Sequence, residues 1–398
     1  MLHNDPIAAV TPEVVAWRKH IHANPELGFH EQRTAKFVAD QLRSFGLDVH
    51  EGIAGTGVVG VLRKGAGTRT IGLRAELDAL PITEKADVPY ASQSNGVMHA
   101  CGHDGHTAML LGAAKILSQH AKFDGTIHFV FQPAEENHGG SMRMIEAGLF
   151  DRFPVDAIYA VHNWPGLPFG EIHTRVGPMM AAVDMFELRF TGTGAHAAMP
   201  HLGDDPLLAA AAFVGSAQRI VSRSVDPQMP LVVSITQIHA GNVGNVVPGE
   251  AWLQGTCRFL APGLSQHLEQ QVGKIAAGIA AAHGVTAQFE YRVGYPPVIN
   301  TEAAVYRAVV AAASVVGRDK VVTAFNPSLG CEDFAYMIRA ATGAYAWVGT
   351  GPAGPGQGLH GDRYVFNDDI VPIVLGYWVS LVEQSMPASG IEATRYAP

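Results

Sequence analysis

Within His99-Ala100-Cys101-Gly102-His103-Asp104-Gly105-His106 the chain places three histidines, one cysteine and one aspartate in eight residues. A soft thiolate two residues from an imidazole, with a glycine between them to relax the backbone, suits borderline-soft divalent ions such as zinc, manganese, cobalt or nickel. The segment supplies half of a metal site. Closed structural sites and open catalytic ones draw on the same ligand types, so the rest of the chain must decide between them.

Three further polar clusters fall at or beyond the carboxyl ends of apolar, β-rich runs: Glu76 and Asp78 after Thr70 to Ala75, Glu135-Glu136 after Thr126 to Phe131, and His162 after Ala157 to Val161. In open α/β sheets that edge is where ligands bind. An isolated Glu-Glu pair is ordinarily a solvated helix start, favoured by the macrodipole. Adjacent carboxylates can also divide two tasks, one binding a metal and the other handling the proton of an activated water. His162 taken alone reads as a core histidine, and His360, behind the glycine-rich loop Gly351 to Gly358, reads as a loop residue. Convergence changes the balance, because Cys101, His103, Glu135, Glu136, His162 and His360 all map to one edge. Even without His360, the five candidates Cys101, His103, Glu135, Glu136 and His162 exceed what one open tetrahedral ion takes. They suit two divalent ions roughly 3.5–4 Å apart that share a ligand, for which Cys101 is the natural bridge. A Cys/His nucleophilic pair is the rival reading of Cys101, but catalytic Cys and His residues usually meet from distant parts of a chain, whereas His103 is two residues away.

The elements that must position these residues read as an α/β fold with two domains, the number expected for 398 residues. Thr11-Pro12-Glu13 marks a helix start, a second helix runs from about Glu31 to Phe45, and β-rich runs cover Gly57 to Leu62 and Thr70 to Ala75. Helix Thr107 to His120, strand Thr126 to Phe131, helix Ser141 to Ala147 and strand Ala157 to Val161 then alternate, as in a domain with a mainly parallel sheet flanked by helices. Near Gly177-Pro178 the character changes. Strand 186–190, helix 206–222, strands 231–235 and 251–259, helix 265–283 and strand 287–293 give the order β-α-β-β-α-β of a ferredoxin-like α+β unit. The helices at about 302–316 and 370–383 and strand 344–348 return to the first pattern. The reading is therefore a discontinuous domain, 1–180 and 296–398, with an insert at 181–295.

Composition bounds the partners. The 27 Lys+Arg against 36 Asp+Glu, a net charge of -9, carry no basic run, which argues against nucleic acid. No stretch is long and apolar enough to span a bilayer, Met1 to Pro6 lacks a secretory pattern, and three scattered cysteines fit a reducing compartment, so a cytoplasmic protein is expected.

In this order, Arg18-Lys19-His20-Ile21-His22, Leu73 to Pro81, the cysteine–histidine cluster, Gln132-Pro133-Ala134-Glu135-Glu136, Val161-His162, Gly194-Ala195-His196-Ala197-Ala198-Met199-Pro200, Asn245-Val246-Val247-Pro248, Glu332-Asp333-Phe334 and Leu359-His360 resemble the M20 metallopeptidase family. The resemblance is to its amidohydrolase branch of hippurate, auxin–amino acid conjugate and N-acyl-amino acid hydrolases. It implies a dinuclear catalytic domain and an inserted lid domain that dimerises. It also implies one ion on His103 and His162, the other on Glu136 and His360, Cys101 bridging, and Glu135 as general base. Asp78 would support the ligands from behind. The broader family has a ligand histidine where this chain has Glu76, and the branch commonly has aspartate, so Glu76 is left outside the ligand set. His196 would stabilise the oxyanion in a partner subunit's site, Asn245 would bind the substrate's backbone or carboxylate, and Arg258 would clamp a carboxylate. The activity implied is hydrolysis of N-acyl-amino acids to a carboxylate and a free amino acid by a homodimer. A carboxypeptidase or dipeptidase on the same scaffold is the alternative. A binding protein that has lost the reaction is the other, and such a protein is expected to lack a ligand or Glu135.

Overall fold

The computed structural model describes residues 5–388. Met1 to Asn4, part of the stretch read above for a leader, lie outside them. The chain divides into two compact units. One holds residues up to Met179, Ile299–Asn326 and the chain from Asp333 onward; the other holds Met180–Val298 and Pro327–Glu332. The return of 327–332 to the second unit has no signal in composition.

The first unit is built on an eight-stranded sheet. Its centre is parallel: Gly125–Gln132, Thr70–Glu76, Ala157–Trp164 and Gly343–Gly349 are hydrogen-bonded in that order. Antiparallel neighbours flank the centre, Asp48–Ile53 and Gly57–Lys64 on one side and Ile172–His173 on the other. The central strands are buried along nearly their whole length, as strands covered by helices on both faces must be. Packed around them are the helices Pro6–Ala23, Gln32–Ser44, His103–Gln119, Glu302–Val316 and Val371–Ser385.

The second unit is a four-stranded antiparallel sheet in the order Leu231–Ala240, Glu250–Phe259, Ala182–Thr191, Thr286–Val293. Its helices Pro206–Ala217 and Leu264–His283 share a core with one sheet face, where Phe186, Leu188, Phe190, Leu253 and Cys257 alternate inward. This is the ferredoxin-like arrangement that the β-α-β-β-α-β order implied.

Three boundaries differ from the sequence reading in ways that matter. The first helix starts at Pro6, where the Asp5 carboxylate caps Ile7 N at 3.0 Å, so the Thr11-Pro12 signal falls inside it. The helix expected from Thr107 begins at His103, because Gly102 in the left-handed conformation (φ 96°) turns the chain directly into it. A Cβ at Gly102 would stand 2.2 Å from Asn163 Oδ1, so both the dihedral and the close approach demand glycine. The strand expected to end at Val161 continues to Trp164, since its edge stays paired with Gly343–Gly349, and His162 lies within it rather than beyond it.

Candidate metal centre

His103 opens a helix, Asp78 follows the strand Thr70–Glu76, Glu135 and Glu136 start the short helix Glu135–His138, and His162 sits near the end of its strand. All belong to the carboxyl edge of the parallel strands. The Cys101 thiol lies 3.4 Å from His162 Nε2. Two groups of atoms that could each hold an ion, Cys101 with His103 and His162 and Cys101 with Glu136 and His360, lie within 4.8 Å, and Cys101 is common to both. Glu136 Oε1 stands 3.2 Å from His360 Nε2 and 3.9 Å from His103 Nε2.

The donor set fits divalent ions on a direct observation: His103 Nε2 and Glu136 Oε1 are buried atoms that make no hydrogen bond among the described residues. Leaving such atoms unpaired costs about 1–3 kcal/mol each. The opposite ends of these residues are well held. Asp78 receives the His103 ring, whose Nδ1 is 2.9 Å from the Asp78 carbonyl and 3.3 Å from its carboxylate, and the Glu136 N–H donates to Asp78 Oδ2 at 3.0 Å. Asp78 thus fixes which nitrogen His103 presents, the ordinary function of a carboxylate behind a ligand histidine. His162 Nδ1 is held 2.6 Å from the Asn163 carbonyl, which leaves Nε2 facing Cys101.

The electrostatics suit cation binding. Burial, with Glu136 and Glu135 nearby, pushes the Cys101 thiol well above its usual range. Burial would lower the His103 imidazole, but Asp78, Glu76 and Glu136 carry it up to about 10. Burial and the neighbouring His106 hold His162 far below the usual histidine range. A divalent cation reverses the first two by displacing the protons.

Backbone strain marks both glutamate and histidine arms. Ala134 (φ 52°) and His360 (φ 64°) are non-glycine residues in the left-handed region, a conformation costing of order 1–3 kcal/mol that persists only when surroundings enforce it. The enforcing contacts are present. Ala134 N donates to the buried Glu31 carboxylate at 2.8 Å, whose other oxygen accepts from Thr56 at 2.6 Å. His360 N donates to the Ala100 carbonyl at 2.8 Å, next to Cys101.

Some of these supports were missed in the sequence, where His106 and Asp104 read only as residues that orient the metal loop or open the following helix. Glu31 read only as a helix start. His106 spans Glu76 (2.8 Å) and Asn163 (2.7 Å), so both ring nitrogens are engaged and Glu76 is occupied by His106 and Arg74. His22 reaches Asp104 at 2.9 Å and Glu84 at 3.1 Å; burial opposes its proton, yet the two carboxylates raise it to about 9. Arg18 joins the same aspartate. The available signal was the density of His and Asp near residue 100, which a buried site must neutralise from other segments.

The remaining candidates belong to the second unit. His196, on the short strand Ala195–His196 opposite Val246, is exposed and accepts from Ala198 N at 3.0 Å through Nδ1. Asn245 is exposed and its carbonyl accepts from Ala197 N at 3.0 Å. Arg258 is half-buried on the sheet face away from the helices, between Val232 and Val183 on the adjacent strands. Cys257, unassigned in the sequence, is buried on the opposite face and is a free thiol.

A profile of peptidase family M20/M25/M40 matches residues 72–384. The chain is 40% identical over 367 residues to hippurate hydrolase of Campylobacter jejuni, covering 92% of this chain and 94% of that one. It is 47% identical over 293 residues to N-acyl-L-amino acid amidohydrolase of Geobacillus stearothermophilus, covering 73% and 79%. Among solved structures, the YXEP protein of Bacillus subtilis, described as a dinuclear metal binding peptidase of the M20 family, superposes with a TM-score of 0.81 at 32% identity, covering 95% of this chain and 99% of that one.

Proposed function

Since the chain belongs to peptidase family M20/M25/M40, we propose that it hydrolyses the amide bond of N-acyl-amino acids, releasing a carboxylate and a free amino acid. The observation that carries this reading is one thiol, Cys101, common to two ligand groups, with a second buried carboxylate, Glu135, beside the ligand Glu136. Cys101, His103 and His162 would hold one divalent ion and Cys101, Glu136 and His360 the other. When bound, the two ions supply Lewis acidity that polarises the amide carbonyl and acidifies water.

The chain's own residues do the rest. Glu135 accepts the proton of the attacking water and returns it to the leaving amine, as a general base that becomes a general acid. Asp78 holds His103 and the Glu136 backbone in place throughout. His196 donates to the developing oxyanion, Asn245 binds the amino-acid portion, and Arg258 grips its carboxylate with the two parallel bonds a guanidinium offers. In this reading His196 acts in a partner subunit's site and the working form is a homodimer; the exposed apolar side chains of the second unit, Met185, Leu202, Leu207 and Leu208, support a covered surface. Among the described residues no helix is long and apolar enough to cross a membrane. The buried thiols of Cys101 and Cys257 support a reducing cytoplasm as its compartment.

The test is a panel of N-acetyl, N-benzoyl and indoleacetyl amino acids and simple dipeptides offered to the metal-loaded protein. Preferential hydrolysis of one or more N-acyl-amino acids is the expected result. Turnover confined to dipeptides would replace this reading with the peptidase one.

A further inference from the structure

Arg74, Asp333 and Phe334 have no place in the chemistry above, yet with Glu76 they form a charged cluster in the interior of the first unit. Arg74, Glu76 and Asp333 are completely enclosed. The guanidinium reaches three acceptors at once: Nε to Gln132 Oε1 at 2.8 Å, Nη2 to Asp333 Oδ1 at 3.0 Å, and Nη1 to Glu76. Its Cζ lies 5.4 Å from the Phe334 ring centroid. Asp333 also accepts from the Gln132 amide at 2.8 and 2.9 Å and from Ser141 N at 2.9 Å.

Buried ion pairs are a poor route to stability, because desolvation cancels most of the attraction and apolar replacements of similar volume serve as well. This one ends on the candidate base. The Asp333 N–H points at Glu135 Oε1, 3.3 Å away, a long contact of the kind that tightens when a substrate is bound. Clamping the Asp333 side chain from three directions therefore fixes the donor that aims Glu135. Gln132 contributes twice, since it is three residues ahead of Glu135 on the same strand-to-helix turn.

We propose that Arg74, Gln132 and Asp333 are positioning residues that hold the Glu135 carboxylate in line for proton transfer. The inference rests on the reading of Glu135 as general base. Lysine cannot replace Arg74 in this arrangement, because a single ammonium lacks the planar fork that meets Gln132, Asp333 and Glu76 together.

The probe is N-benzoylglycine with the metal-loaded full-length protein, or the best-hydrolysed N-acyl-amino acid of the panel. Gln132→Met keeps volume and charge while removing both bonds to Asp333, and should lower kcat by about tenfold or more with KM changed by less than about twofold and two ions still bound per chain. Phe334→Leu removes the ring beneath the guanidinium and no hydrogen bond, so it should fold readily and give a smaller fall in kcat, again at unchanged KM. A lowered melting temperature with parental kcat in both variants, or a loss carried by KM or by metal content, would overturn the proposal and leave the cluster a structural one. Glu135→Gln separates the two readings. If it keeps parental turnover, the base assignment fails; if it is inactive while Gln132→Met is not impaired, only the positioning role fails.

Discussion

Cys101, His103 and His162 are buried, and a second group fixes the ring of each histidine; His196 and Asn245 stand exposed on the second unit, each accepting from a neighbour's backbone N–H. A buried polar cluster has to be compensated within its own chain, so its partners disclose which atoms are held and which are left to face a ligand. An exposed histidine needs no such compensation. Its role comes from whatever covers it, and it costs the free chain nothing to keep or lose.

That contrast can be broken or sharpened by four measurements. Glu135→Ala should carry the largest effect, a loss of about 10²–10⁴ in kcat with two ions retained, measured by metal analysis alongside turnover. His196→Ala should lower kcat by about 10²–10³ while leaving melting temperature and metal content at parental values, since the side chain is exposed; a drop in melting temperature would show that the second-unit residue is structurally tied after all. Zinc addition to the stripped protein at pH 7 should release about two protons per chain into a weak buffer. Both sources protonate above pH 7 without metal, His103 at about 10 and Cys101 above the usual thiol range. Affinity for the ions should accordingly rise with pH through neutrality and fall as acid competes for the ligands; a pH-independent titration would contradict the site's electrostatics. Arg258→Ala should do least, raising KM by about tenfold for N-acyl-amino acids with kcat nearly unchanged.

The placement of the central strands was legible because their continuous apolar runs and glycine boundaries leave few alternatives, and the polar residues at their ends then pointed to one edge. The inserted β-α-β-β-α-β unit was legible for the same reason: strand 182–191 alternates with period two, and its helices are alanine-rich. What could not be read were contacts between distant segments. Nothing local to Glu31 says that its carboxylate will hold Ala134 in a left-handed turn, and nothing local to Asp333 says that its N–H will meet Glu135. The early start of the helix at His103 was hidden by Gly102, which reads as a helix breaker unless its close approach to Asn163 is known. His162 looked like a residue past a strand because the pairing that extends the strand comes from Gly343–Gly349, more than a hundred residues away in sequence.

The central claim is that Cys101 joins two ion sites that act together on an N-acyl-amino acid. It is tested most directly by stripping the protein with a chelator, adding back zinc, manganese, cobalt or nickel in measured equivalents, and following hydrolysis of N-benzoylglycine and N-acetyl amino acids at each step. The account predicts little activity in the stripped protein and full recovery only as the second equivalent per chain is bound. Full turnover by protein that holds no metal would contradict it.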